Sequence, residues 1–276
     1  MFTRRKALLA LIRMHGTISK FRIVNLMFLV SQDDVFNDPP YEFVPYKYGP
    51  FSFQLYSDLS HLAEKGYVVE ESNLIKTVRE KKAVQLDEKY EIVILEYFNN
   101  FKNLSDKILL KHTCSTFPEY TIFEKVIQPE YASEPGIVTV GYEGLSIDRF
   151  LVKMISHRIS VVVDVRRNAS SRKYGFSGNL KRFLDKFRIE YVHFPELGID
   201  SDSRKNLDSL DDYKDLFSEY ERTLESPPNL KIIERIFSLG LSKKIALMCF
   251  ESNPDYCHRH TIGKKLRRMG AMVIDL

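Results

Sequence analysis

The chain has 276 residues, 44% hydrophobic and 28% charged, enough for two domains and inconsistent with wholesale disorder. No apolar run reaches membrane-span length, the apolar stretch 7–12 behind the basic start is too short for a secretory signal, and three cysteines make no disulfide framework; a cytoplasmic protein with reduced thiols is expected. The net charge of +4 is uneven: residues 1–135 hold 17 Lys/Arg against 18 Asp/Glu (net −1), and the remainder 24 against 19 (net +5), which favours an anionic ligand in the second half.

In chain order, Leu8, Leu9, Leu11 and Ile12 predict a first helix ending near Gly16. Ser19 is placed to cap a second, with Phe21, Leu26, Phe28 and Leu29 as its apolar stripe. An extended piece follows at 41–46, then a turn at Gly49-Pro50. Ser52 caps a third helix carrying Leu55, Leu59 and Leu62, stopped at Gly66. Residues 67–70 and 74–78 read as two strands, so the first half is expected to be a winged-helix-like module, with further helix over 87–128 carrying Ile92, Leu95, Tyr97, Phe98 and Leu104.

The stretch Tyr46-Lys-Tyr-Gly-Pro-Phe-Ser52 with the Leu55-Tyr56…Leu59 helix, and the later Thr116-Phe-Pro-Glu-Tyr120, resemble Panacea-type antitoxin-associated domains. The likeness covers roughly residues 4–130 and implies a docking or regulatory module for 1–130. Arg4, Arg5, Lys6, Arg13, Lys20 and Arg22 are candidates for touching phosphate, but the third helix offers Gln54, Asp58, His61, Glu64 and Lys65, which is not a basic face. Protein docking or self-association is therefore favoured over DNA reading for this acidic half.

The turn-rich stretch 131–136 reads as a linker, after which the pattern alternates. Strands are predicted at 137–140, 159–165, 191–194, 244–249 and 271–276, and helices at 146–157, 180–187, 213–224, 230–239 and 261–269. This alternation predicts an α/β domain over 137–276, a mostly parallel sheet flanked by helices.

Ligands of such sheets bind beyond the carboxyl ends of the strands. Four predicted strand ends deliver polar groups there: Gly141, Tyr142 and Glu143; Asp164, Arg166 and Arg167 with Arg172 beyond; Glu196; and Cys249, Glu251, Cys257, His258 and Arg259. Adjacent Arg166 and Arg167 suit a bidentate phosphate or carboxylate clamp, with Asp164 orienting one of them or acting as a base. Glu143 serves as a helix cap or a general acid. Cys249, at the end of an apolar strand, reads as buried. Cys257, at a predicted helix start beside His258 and Arg259, is the better nucleophile on local physics. The spacing Cys249-x7-Cys257-His258-x-His260 fits no standard zinc pattern, so no metal and no cofactor is assigned. Alternatively the thiols are structural, and Glu251, Glu196, Glu143 or Asp164 does the acid–base work.

Thr139-Val-Gly-Tyr-Glu-Gly144, Asp164-Val-Arg-Arg-Asn168, His193-Phe-Pro-Glu-Leu-Gly198 and Cys249-Phe-Glu251…Cys257-His-Arg259, in this order, resemble the family catalogued as domain of unknown function 488. The resemblance implies an α/β domain suspected of catalysis, with those signature residues at its site; Asn168-Ala169 stands where that family commonly has a proline. The resulting expectation is a hydrolase or group-transfer enzyme acting on a phosphorylated, nucleotide-like or nucleic-acid substrate. The alternative is a non-enzymatic nucleotide-sensing or DNA- or partner-binding regulator. No dinucleotide or Walker-type glycine loop is present.

Overall fold

A computed structural model describes residues 1–78, 85–121, 134–200, 203, 207 and 210–276. The chain divides into two compact units, Met1–Lys125 and Val126–Leu276. The predicted linker lies partly outside the described residues, at 131–133, as does the end of the predicted helix 87–128. Among the described residues no helix is long and apolar enough to cross a membrane.

The first unit is mainly helical. Helices α1 (Thr3–His15), α2 (Lys20–Ser31) and α3 (Phe53–Glu64) bury the leucine-rich stripes expected of them around Phe28, Leu29, Leu55, Leu59 and Leu62. Ser19 and Ser52 accept the backbone N–H of Arg22 and Leu55, and Gly16 closes α1 at φ 70°, so the cap residues do what their chemistry dictates. Strand β1 (Thr17–Ser19), unforeseen because three residues carry no usable period, completes an antiparallel sheet of order β1-β5-β4 with β4 (Val68–Glu71) and β5 (Leu74–Thr77). Strands β2 (Val44–Tyr46) and β3 (Gly49–Phe51) form a separate ribbon.

The helix expected over 87–128 is broken into α4 (Glu88–Phe101) and α5 (Asp106–Thr116), because Ser105 caps a new start by accepting from Ile108 N–H. Its buried face is Tyr90, Val93, Ile94 and Phe101; Ile92 and Leu95 are exposed, a third of a turn out of phase with the core.

The second unit carries a parallel five-stranded sheet flanked by helices. Its strands are β6 (Gly136–Gly141), β7 (Val161–Asp164), β8 (Glu190–His193), β9 (Lys244–Cys249) and β10 (Val273–Asp275), in the order β10-β6-β9-β7-β8. The helices are α6 (Ile147–Ser156), α7 (Leu180–Asp185), α8 (Leu210–Thr223), α9 (Pro227–Ser242) and α10 (His258–Arg268). The central strands are apolar between their ends, at 161–163 in β7 and 245–248 in β9, because both faces are covered. Alternate residues Ile137, Val161, Val163, Ile245, Leu247 and Cys249 pack against Tyr220, Leu224, Ile233, Ile236, Ile262 and Leu266 of α8 to α10. The other parity, including Val138, Val162, Asp164, Ala246 and Met248, is buried on the opposite face. In register, Gly141 lies beside Cys249, and Asp164 beside both Met248 and His193, so four strands end along one edge.

Candidate functional site

The strand ends meet as the alternation predicted, but their groups are divided by strand parity into two clusters. Asp164, fully buried at the end of β7, accepts from Arg166 Nε (2.9 Å), Arg166 Nη2 (2.6 Å), the Arg166 backbone N–H (3.0 Å) and the Tyr191 hydroxyl (2.7 Å). Arg166 further donates through Nη1 to the Tyr142 hydroxyl (2.8 Å) and Phe176 O (3.1 Å), and through Nη2 to Ala169 O (3.3 Å). A guanidinium has five N–H donors, and protein acceptors engage all of them. Burial works against the charge, yet the hydrogen bonds and charge of Asp164 hold the guanidinium pKa above its ordinary value. Tyr191 is pushed up by burial and then by the neighbouring carboxylate.

This geometry corrects three expectations. Arg166 is a buried staple and does not clamp an anion with Arg167. Its neighbour points outward instead, pairing with Asp200 at 2.9 Å and reaching Pro195 O at 3.3 Å. Asp164, enclosed by donors, faces no solvent and is not placed as a base. Tyr142 is 3% exposed and stacks on Phe176 at 4.1 Å between centroids, so its ring is core and not a ligand platform.

The second cluster lies on the α8–α10 face. Cys249 ends β9, and Cys257 is the residue before α10, at its N-cap. The ligand atoms of Cys249, Cys257 and His258 all lie within 4.8 Å of one another, and all three residues are buried. Cys249 Sγ is 3.7 Å from His258 Nδ1 and donates to Glu251 Oε2 at 3.4 Å. His258 Nε2 donates to Val165 O at 2.9 Å. Burial, then the contact with Cys249, pushes the Cys257 thiol well up, outweighing the favourable influence of His258. The expectation of an activated Cys257 thiolate is corrected accordingly: a helix N-terminus does not offset complete desolvation. Three of the four possible ligands whose spacing fits no standard zinc pattern, Cys249, Cys257 and His258, are thus brought together, without His260.

Arg259 is also a staple. Fully buried, it donates through Nε to Thr139 Oγ1 (3.2 Å), through Nη1 to Glu251 O, and through Nη2 to Ser252 O (2.9 Å), fixing the loop after β9. Gly141 permits that loop's approach: a Cβ there would lie 1.8 Å from Glu251 O. Glu143 grips the same loop by accepting the Ser252 backbone N–H (3.0 Å) and hydroxyl (3.1 Å). Glu143, Arg167, Arg172 and Glu196 are exposed and Glu251 is half-buried, so these five reach solvent. The sequence reading missed Tyr191, Thr139 and Phe176. Tyr191 sits inside a strand where no motif marks it, and Thr139, though first in the motif 139–144, carried no assigned role; strand parity and register place both.

The second unit is therefore an α/β domain of parallel-sheet architecture, with a buried thiol–imidazole cluster at the carboxyl end of its central strand. Residues 146–266 match the family described as Domain of unknown function DUF488. The match spans α6 to most of α10, less than half the chain, and includes Asp164, Arg166, Cys249, Glu251, Cys257, His258 and Arg259 but not the Gly141–Gly144 turn. No curated protein and no solved structure matches the chain.

Proposed function

We propose that the second unit is a hydrolytic or group-transfer enzyme for an anionic, phosphorylated or nucleotide-like substrate, with its reactive centre at the end of β9. The observation that carries this reading is the gathering of Cys249, Glu251, Cys257 and His258 at the carboxyl end of the middle strand. The connection leaving β9 packs on the opposite face from the one leaving its neighbours, the arrangement that opens a ligand crevice in parallel sheets. Glu251 is the proton-transfer group, since it is half-buried, touches Cys249 and reaches solvent. Glu143, Arg259 and Gly141 position its loop. With Arg166 engaged internally, Arg167 paired with Asp200 and Lys173 donating to Tyr142 O, recognition of the anion falls first to the exposed Arg172.

Apart from the β2-β3 ribbon between α2 and α3, residues 3–77 run helix-strand-helix-helix-strand-strand with the sheet order β1-β5-β4, which supports a winged-helix reading. Arg4 and Arg5 pair with buried Asp58 (2.6 Å each), Arg22 with Asp106 (2.8 Å) and Lys20 with Glu70. Cations held by carboxylates neutralise few phosphates, which supports docking to protein over duplex DNA.

The test is a turnover screen of the full chain against nucleotides, phosphomonoesters and phosphodiesters, repeated with Glu251→Gln. A fall in kcat of about 10²- to 10⁴-fold with unchanged melting temperature is expected. Undiminished turnover in that variant sinks the assignment. Nucleotide binding by the wild type without turnover replaces the enzyme reading with a sensing one.

A further inference from the structure

We infer that Cys249, Cys257 and His258 form a binding site for a thiophilic transition-metal ion of the zinc class. A tetrahedral ion with bonds of about 2.3 Å to sulfur and about 2.0 Å to nitrogen requires ligand–ligand separations of about 3.5–3.8 Å. Cys249 Sγ and His258 Nδ1 already stand 3.7 Å apart, and the three ligand atoms lie within 4.8 Å. Closure around an ion therefore needs movements of only about 1 Å or less.

The imidazole is set for this task. Val165 O only accepts, so His258 Nε2 donates to it, and Nδ1 is the ring nitrogen that stands on the side of the thiols, 3.7 Å from Cys249 Sγ. A backbone carbonyl fixing the tautomer through the distal nitrogen is the usual support of a metal-bound histidine. Burial argues the same way: Cys249, Cys257 and His258 are 2%, 0% and 1% exposed, so the two sulfurs and the imidazole face one another away from bulk solvent. Thiolate and imidazole together select zinc-class ions over magnesium or calcium. Three protein ligands leave one tetrahedral position, and Glu251, whose Oε2 lies 3.4 Å from Cys249 Sγ, is the carboxylate beside it.

The site shares Cys249, Cys257 and His258 with the proposed reactive centre, but ion binding is read out without turnover. A chain that binds the ion but turns over nothing keeps the site and loses the enzyme reading; a metal-free chain that turns substrate over does the reverse.

The experiment is elemental analysis of the full chain purified under reducing conditions, followed by chelator-competition titration with Zn²⁺ and an absorption titration with Co²⁺. About one ion per chain is expected, with thiolate-to-cobalt charge-transfer bands and d–d bands of tetrahedral intensity. Cys257→Ser should weaken zinc binding more than about 100-fold, since loss of an outer-shell partner alone costs about 10- to 100-fold. His258→Gln, which retains a donor for Val165 O but removes the Nδ1 lone pair, should do the same, while Cys114→Ser changes nothing. Circular dichroism on each variant separates lost binding from lost folding, and the wild-type titrations stand without any variant. Absence of both bound metal and cobalt–thiolate bands in the wild type overturns the proposal. So does a Cys249–Cys257 disulfide in the protein as purified.

Discussion

Asp164→Asn replaces an acceptor by a donor at the centre of a buried network, and its cost follows from the contacts. The carboxylate receives Arg166 Nε, Nη2 and backbone N–H and the Tyr191 hydroxyl, and is itself fully buried. The amide keeps one oxygen, turns an NH₂ towards donors, and leaves the Arg166 charge without a counter-ion in a site where its side chain is 7% exposed. Removing one partner of a buried ion pair costs about 3–5 kcal/mol. With a urea dependence of about 2 kcal/mol per molar, the midpoint should fall by about 2 M. The chain has no tryptophan, so far-UV circular dichroism is the natural probe, and peptide-resolved hydrogen exchange assigns the loss to β6, β7 and β9. Arg166→Met should cost a comparable amount. The double variant should cost less than the sum by about 1–3 kcal/mol, because neither charge is then left alone. If Arg166→Met is as stable as the wild type yet abolishes ligand binding, Arg166 is an anion clamp after all and the staple reasoning fails.

Two further perturbations probe other levels of the structure. Gly141→Ala puts a methyl 1.8 Å from Glu251 O and 2.8 Å from Ser252 Cα, so the loop after β9 must shift. A loss of about 2–3 kcal/mol in thermal unfolding is expected, whereas Gly178→Ala, whose Cβ meets nothing within 4 Å, should be close to neutral. His15 in α1 packs edge-on against Phe98 at 4.7 Å, and burial, together with the charge of Arg22, lowers its pKa from 6.5 despite the hydrogen bond to Leu11 O. As pH falls below 6.5 the unfolded chain takes up a proton that the folded state resists, so stability drops down to the folded pKa, by at most about 1.4 kcal/mol per pH unit. Urea midpoints at pH 7.5 and 5 should show that slope, and His15→Gln should flatten it; an unchanged slope would remove His15 as its source.

Local chemistry was legible wherever a residue acts on its near neighbours. Ser19 and Ser52 cap α2 and α3, Gly16 ends α1, and the strand–helix alternation of the second half becomes the parallel sheet. The polar residues at the strand ends do share one edge, because strand direction alone determines which end they occupy. Which side each faces was not legible: Asp164 and Cys249 lie on opposite faces through parity, and parity counts only once a register exists.

The same limit explains Arg166 and Arg167. As neighbours in an Asp-Val-Arg-Arg run they read as one clamp, yet one turns inward to Asp164, Tyr142 and Phe176 while the other pairs with Asp200 on the surface. Burial is a property of the assembled layers: it leaves Arg166 a staple where a clamp was expected, and it opposes ionisation of the Cys257 thiol that local sequence favoured. The ligand cluster is the counterpart. Spacing motifs detect ligands carried on one short turn, but Cys249 comes from a strand end, Cys257 and His258 from a helix start, and Val165 O, which orients the imidazole, from the residue just past β7. Sequence distributes these groups along the chain and sets their chemistry; only close packing of β7, β9 and α10 brings two sulfurs and a nitrogen within 4.8 Å of one another.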